Sequence, residues 1–256
     1  MPAPHPRMHG LVHGHGGPDP VRISWDDTGS GGGGTGGGPA ATATWHDTND
    51  DATNQDRWAL NTFQIRGATL DTADPSSWQT VPSVTITDTL TAAASGELVY
   101  AFVVKEYVHT PLTPAAPFTV LIDQQQVPSY VSGGMNFVSS AAGRGPGTVN
   151  WSATVPSSDV GGYHFQSIMA GFKGTPSQLS QLTNTVSGNA YAAATLPATT
   201  AQAAGDILLV QVVLRNGNSS PALTAPAGWT LAARSPDRST DTNWAALDQF
   251  IYSYLV

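Results

Sequence analysis

Hydrophobic positions fall into short blocks separated by clusters of Gly, Pro, Ser, Thr and Asn, and two of these blocks resemble one another. The first runs Ser95-Gly-Glu-Leu-Val-Tyr-Ala-Phe-Val-Val104, followed by a polar turn and Pro117-Phe-Thr-Val120. The second runs Ala204-Gly-Asp-Ile-Leu-Leu-Val-Gln-Val-Val-Leu214, followed by a polar turn and Pro226-Ala-Gly-Trp-Thr-Leu231. Each is a turn of small residues ending in an acid, a continuous apolar run, a loop, and a second short strand with an aromatic near its start. The runs Leu98–Val104 and Ile207–Leu214 have the length of buried strands. Neither approaches the about 18–20 apolar residues that span a bilayer. Val21-Arg-Ile-Ser-Trp25 alternates apolar and polar, as one short strand does.

A second likeness crosses the chain. Thr42-Ala-Thr-Trp45-His-Asp-Thr48 aligns with Gly147-Thr-Val-Asn-Trp151-Ser-Ala-Thr154, and Arg57–Gly67 aligns with Gly162–Gly174. Both pairs read as a Trp strand, a polar loop, and an aromatic-rich strand closing on a basic residue and Gly. In the first repeat these two strands end the unit. The second repeat stops at Val256 without them, and an open sandwich would expose strand edges and apolar faces. Residues 41–67 are therefore expected to complete the C-terminal unit, in the same chain or by exchange with a neighbouring subunit. The alternative is that they are the leading strands of the first sandwich.

This pattern predicts an all-β protein with two antiparallel, jelly-roll-like β-sandwich modules behind an extended N-terminal arm and a Gly-rich linker. The expected divisions are an arm over 1–28, a linker over 29–40, closing strands over 41–67, a first sandwich over 68–174, a link over 175–189, and a second sandwich over 190–256 that is incomplete alone. Residues 68–84 read as a turn-rich connection and 175–189 as a polar link. As a random coil, the ten linker residues Gly29–Gly38 span on the order of 18 Å.

Composition supports strands over helices. Of 256 residues, 27 are Gly and 19 Pro, and only 11% are charged, against roughly 25% in ordinary soluble domains. The net charge of −8 supplies no basic footprint for nucleic acid or an anionic membrane. Met1–Pro20 is rich in Pro, Gly and His and has no signal-peptide core. The chain has no cysteine, so disulfides, zinc–thiolate centres and cysteine nucleophiles are excluded.

Candidate chemistry is sparse. His9, His13 and His15, with His5 upstream, form a His-rich tract of the kind that binds metal, although Gly and Pro leave its backbone unorganised. Three chains meeting on an axis could share one ion there. Asp26–Asp27 and Asp50–Asp51 read as loop acids. The run from Asp47 to Asp51 offers oxygens for calcium without the spacing of an EF-hand. Gly-x-Ser-x-Gly, His-Glu-x-x-His and Gly-x-x-x-x-Gly-Lys are all absent. No enzyme and no cofactor are expected. Among the tryptophans, Trp45, Trp151 and Trp229 occupy repeat positions matched by an aromatic in the other unit, which favours the core. Trp78 and Trp244 lie in polar loops and are the candidates for stacking on a glycan.

The head, His13-Gly-His-Gly-Gly-Pro-Asp-Pro-Val-Arg-Ile-Ser-Trp-Asp26, resembles the N-terminal segment of minor tail proteins from phages of actinobacteria. In these a His/Gly-rich start and a short strand ending in Trp precede a Gly-rich linker. The Ala-Gly-Asp-Ile-Leu-Leu-Val and Pro-Ala-Gly-Trp-Thr stretches of 204–230 resemble β-sandwich modules of phage tail proteins and bacterial surface proteins. The resemblance implies a virion structural protein at the tail tip. His13, His15, Gly16, Gly17, Pro18, Asp19, Pro20 and Trp25 would dock it to other tail or baseplate proteins, and the sandwiches would project for tail decoration or contact with host cell-wall glycan. A homo-oligomer without nucleic acid and without membrane insertion is the expectation. A carbohydrate-binding module or adhesin and a capsid decoration protein are the alternatives.

Overall fold

In a computed structural model the described residues are 42–48, 57–75, 79–106, 112–127, 134–162, 164–187, 191–195, 202–215, 223–235 and 247–256. They are all-β, arranged in antiparallel sheets. The strands are β1 (Thr42–Asp47), β2 (Arg57–Pro75), β3 (Gln79–Thr80), β4 (Thr85–Ala92), β5 (Glu97–Glu106), β6 (Thr113–Pro114), β7 (Thr119–Val127) and β8 (Gly134–Arg144). There follow β9 (Gly147–Thr154), β10 (His164–Ser187), β11 (Tyr191–Thr195), β12 (Ile207–Arg215), β13 (Leu223–Thr224), β14 (Thr230–Arg234) and β15 (Leu247–Leu255). A single 3-10 turn, Ser157–Asp159, lies between β9 and β10.

One large sheet runs β14-β15-β12-β2-β10-β5-β8-β7, with β3 joined to the start of β10. Two small sheets, β11-β1-β13 and β4-β9-β6, cover its ends. The large sheet is built around β2 and β10, of 19 and 24 residues, where strands ordinarily have about 3–10. Their length follows from double service. The half of β10 from Phe165 to Phe172 pairs with β5, and the half of β2 from Arg57 to Ile65 pairs with β12. Between these halves the β2–β10 ladder shifts register, from Gly174 opposite Ala68 to Ser177 opposite Arg66.

The neighbour orders on the two sides of this crossing match. On one side the order is β2, β10, β5, β8, β7, covered by β4-β9-β6; on the other it is β10, β2, β12, β15, β14, covered by β11-β1-β13. The first unit is continuous in sequence from Ala68 to Gly174. The second begins in β10, runs to β15, and takes its last two strands from the other end of the described chain. Residues 42–47 of β1 pair with β11 and β13, and β2 as far as Arg66 pairs with β12 and the far half of β10. The second unit is thus a circular permutation of the first.

The apolar runs are buried on both faces. Along β5, Val99, Ala101 and Val103 enter the first unit's core with Ile86, Leu90, Phe137, Trp151 and Phe165. The alternate residues Leu98, Tyr100 and Phe102 enter a different core with Phe63, Phe172, Ile207, Leu209 and Ile251. Along β12, Leu208, Val210, Val212 and Leu214 pack with Trp45, Trp58, Leu60 and Phe250. Side chains alternate across a strand, so a strand covered on both sides reads as an unbroken hydrophobic run. The middle core joins the units: Gln249 Nε2 donates to Phe102 O across it at 3.4 Å.

The observed strands cross two of the expected boundaries. β2 continues past Gly67 through Pro75, where a boundary and a turn-rich connection were expected. β10 continues past Gly174 through Ser187, where a polar link was expected. The two modules share one sheet. The reason is local: Gly67 and Gly174, which read as strand ends, have φ of 67° and 108°. They let the two strands change register at close approach without ending them.

Candidate functional site

The repeated turn of small residues and an acid is a structural corner. In the second unit Gly205 takes φ 88°, and Asp206, which is buried, accepts the Ala203 N–H at 3.0 Å. Gln64 Nε2 donates to the same carboxylate at 2.7 Å, and Arg66 grips it with Nε at 2.8 Å and Nη2 at 2.9 Å. The guanidinium holds the Asp206 carboxyl down at about 2, against the opposing effect of burial. The first unit solves the same corner differently. Gly96 takes φ 80°, and Glu97 Oε1 accepts the Ala94 N–H at 2.7 Å. Register places Gly171 where the second unit has Gln64. A Cβ at Gly171 would lie 2.5 Å from Glu97 Oε2, so the longer acid occupies the space left by the missing side chain. Lys173, the counterpart of Arg66, donates to Asp71 Oδ1 at 2.9 Å. Asp71 is held below the usual carboxylate range first by that ammonium and then by the Ala93 N–H. Asp206 and Asp71 are each held by a cation and a backbone N–H, whereas Glu97 Oε2 has no hydrogen-bond partner among the described residues.

The second unit also carries an aromatic shelf that the first lacks. Trp45 (β1) is fully buried and meets the edge of Trp229 at 5.3 Å between ring centroids, with 67° between planes. Trp229 continues to Tyr254 (β15) at 5.6 Å. Trp229 and Tyr254 are both partly exposed at the rim of this core. Gly228, at φ 85°, permits the approach, since a Cβ there would lie 2.6 Å from the Tyr254 ring. In the first unit the corresponding aromatic, Phe118, is buried. The Trp pair differs too: Trp151 Nε1 donates to Ser139 Oγ at 3.0 Å, whereas Trp45 Nε1 has no hydrogen-bond partner among the described residues. Register puts Tyr252 in the place of Ser139, and its ring lies 5.9 Å from that of Trp45. Burial pushes the Tyr252 phenol up to about 12, with Arg234 opposing.

Trp229 is therefore a rim residue rather than the core residue its repeat position predicts. The exchange of Phe for Trp widens the ring beyond the space its counterpart fills. Sequence held one clue, the alternation Tyr252-Ser-Tyr254, which puts two tyrosines on one face of β15. Trp58, by contrast, is fully buried. The sequence candidates His9, His13, His15, Gly16, Gly17, Pro18, Asp19, Pro20, Trp25, Trp78 and Trp244 lie outside the described residues. So do Asp26, Asp27, Asp50 and Asp51, while Asp47 is buried in β1. Among the described residues no group of three His, Asp or Glu could hold a metal ion. No helix among them is long and apolar enough to cross a membrane.

Comparison of the chain with protein-family models, curated proteins and solved structures returns no match.

Proposed function

We propose that this chain is a non-enzymatic structural protein of a phage tail tip or baseplate, held to the particle by its N-terminal arm and presenting a double sandwich. The observation that carries this reading is the fusion of the two units through β2 and β10. Two separate modules on a linker would move independently, whereas two modules sharing one sheet and one core form a single firm projection. The neighbour order in each unit supports calling them jelly-roll-like. The His/Gly-rich head and Gly-rich linker resemble the docking end of minor tail proteins. Other tail or baseplate proteins are the proposed partners, with a homo-oligomer as the assembled form and the virion as the location. Immunogold labelling of purified particles tests this: label at the tail tip supports it, and label on the head, or none, contradicts it. Removing residues 1–28 should abolish incorporation.

A second reading is favoured by the shelf of Trp229 and Tyr254. Partly exposed rings beside one another offer an apolar face on which a sugar ring stacks. On this reading the projection grips host cell-wall glycan. Pull-down on isolated cell walls should fall about tenfold for Trp229→Ala, as expected when a contact worth on the order of 1.4 kcal/mol is lost. Unchanged binding by Trp229→Ala and Tyr254→Ala would remove the shelf, and the same assay on Trp78→Ala and Trp244→Ala decides the loop tryptophans.

A further inference from the structure

The inward face of β5 ends on a charge. Val99, Ala101 and Val103 point into the first unit's core. Two residues further along the same face stands Lys105, whose side chain is fully buried. The 3-10 turn after β9 brings Asp159 to meet it, also fully buried, with Nζ 2.6 Å from Oδ2. The approach is close without being aligned as a hydrogen bond, since Asp159 Oδ2 accepts none among the described residues. The carboxylate is held in place by its own turn. Ser158 Oγ lies 3.2 Å from Oδ1, and the Asp159 N–H donates to Pro156 O at 3.0 Å. Next to it the Gly161 N–H donates to Val81 O at 2.9 Å. The amine nitrogen is thus in direct contact with the carboxyl group whose carbon it would attack, as a near-attack arrangement requires.

The second unit shows that packing alone does not need these charges. Register places Leu214 where the first unit has Lys105, and Leu214 is buried in the matching core. A buried ion pair is often no better for stability than an apolar pair of the same volume. A lysine and an aspartate fixed in contact inside a sandwich are, however, the two reactants of an amide.

We propose that Lys105 and Asp159 condense to an intramolecular isopeptide bond. The ammonium passes one proton to the carboxylate, and the amine lone pair attacks the carboxyl Cγ. The carboxyl oxygen then departs as water carrying two protons from the pair. One N–C bond forms, one C–O bond breaks, and no oxidant, reductant or co-reactant is consumed. Two opposite charges disappear from the core together. The product ties the end of β5 to the turn that leads into β10, the strand that joins the two units. The inference rests on this pair alone and is independent of the tail reading.

The test is the intact mass of the full-length chain, purified folded, held at neutral pH until its mass is constant, then denatured for mass spectrometry. The expected mass is that of the sequence less one water, with a branched peptide joining Lys105 to Asp159 after digestion. Lys105→Met and Asp159→Leu should each restore the full mass for their sequence. Because the mass is read on unfolded protein, that comparison holds even if a variant is destabilised. A wild-type chain at its full sequence mass overturns the proposal, and so does a loss of water mapped to any other site.

Discussion

Gly67 and Gly174 are the residues on which the two units turn. Gly174 takes φ 108°, and a Cβ there would lie 2.6 Å from the carbonyl oxygen of Gly67. Gly174→Ala adds both a clash with backbone and a strained φ. It should destabilise the protein by about 2 kcal/mol or more, read as a lower urea midpoint. A substitution of equal size at Gly143, also at positive φ but with nothing near its Cβ, supplies the strain without the clash and should cost less. The acid corner gives a prediction in pH. The folded Asp206 carboxyl lies at about 2, below its ordinary 3.8. A group depressed on folding stabilises above its unfolded value and loses that contribution as pH falls, here between about pH 4 and 2. Arg66 is 44% exposed, so solvent screening reduces this contribution. Asp206→Asn should flatten that part of the acid-unfolding curve. An unaltered curve would show that the corner does not hold the turn electrostatically.

At the scale of elements, β5 and β12 were legible because burial on both faces leaves an unbroken apolar record. The Trp strands were legible because Trp45 and Trp151 fill matching places in their sandwiches. The far half of β10 was not legible. Thr175-Pro-Ser-Gln-Leu-Ser-Gln-Leu-Thr-Asn184 has few apolar residues and a proline, the signature of a link. It is a strand because the near half of β2 offers it a ladder, and a ladder leaves no mark in composition. The depth of a side chain in the core was equally hidden. Phe118 and Trp229 occupy the same place in the repeat, yet the wider ring protrudes. Nor did the end of the apolar run announce a partner for Lys105, since Asp159 arrives from a turn more than fifty residues away. Strand supply itself is open to test. Without residues 41–67, β12 loses a neighbour and β11 and β13 lose the strand between them. The fragment 190–256 should then be insoluble, and a monomeric, folded fragment with cooperative unfolding would contradict that.

At the scale of the molecule, the account rests on one claim. Strands from near the start of the described chain close the unit made by its end, and they do so within one chain. Ala59 of β2 faces Val213 of β12, and both are buried in a small cluster with Val104. The chain has no cysteine of its own, and residues directly opposite on antiparallel strands lie about 4.5–5.5 Å apart, within the span of a disulfide. The direct measurement is therefore the covalent state of the Ala59→Cys/Val213→Cys protein after oxidation, read by non-reducing electrophoresis and intact mass. The account predicts a monomer two hydrogens lighter, its single disulfide joining 59 to 213. A disulfide-linked dimer would show that the closing strands come from a neighbouring chain, and two free thiols in the folded protein would show that these strands are not neighbours at all.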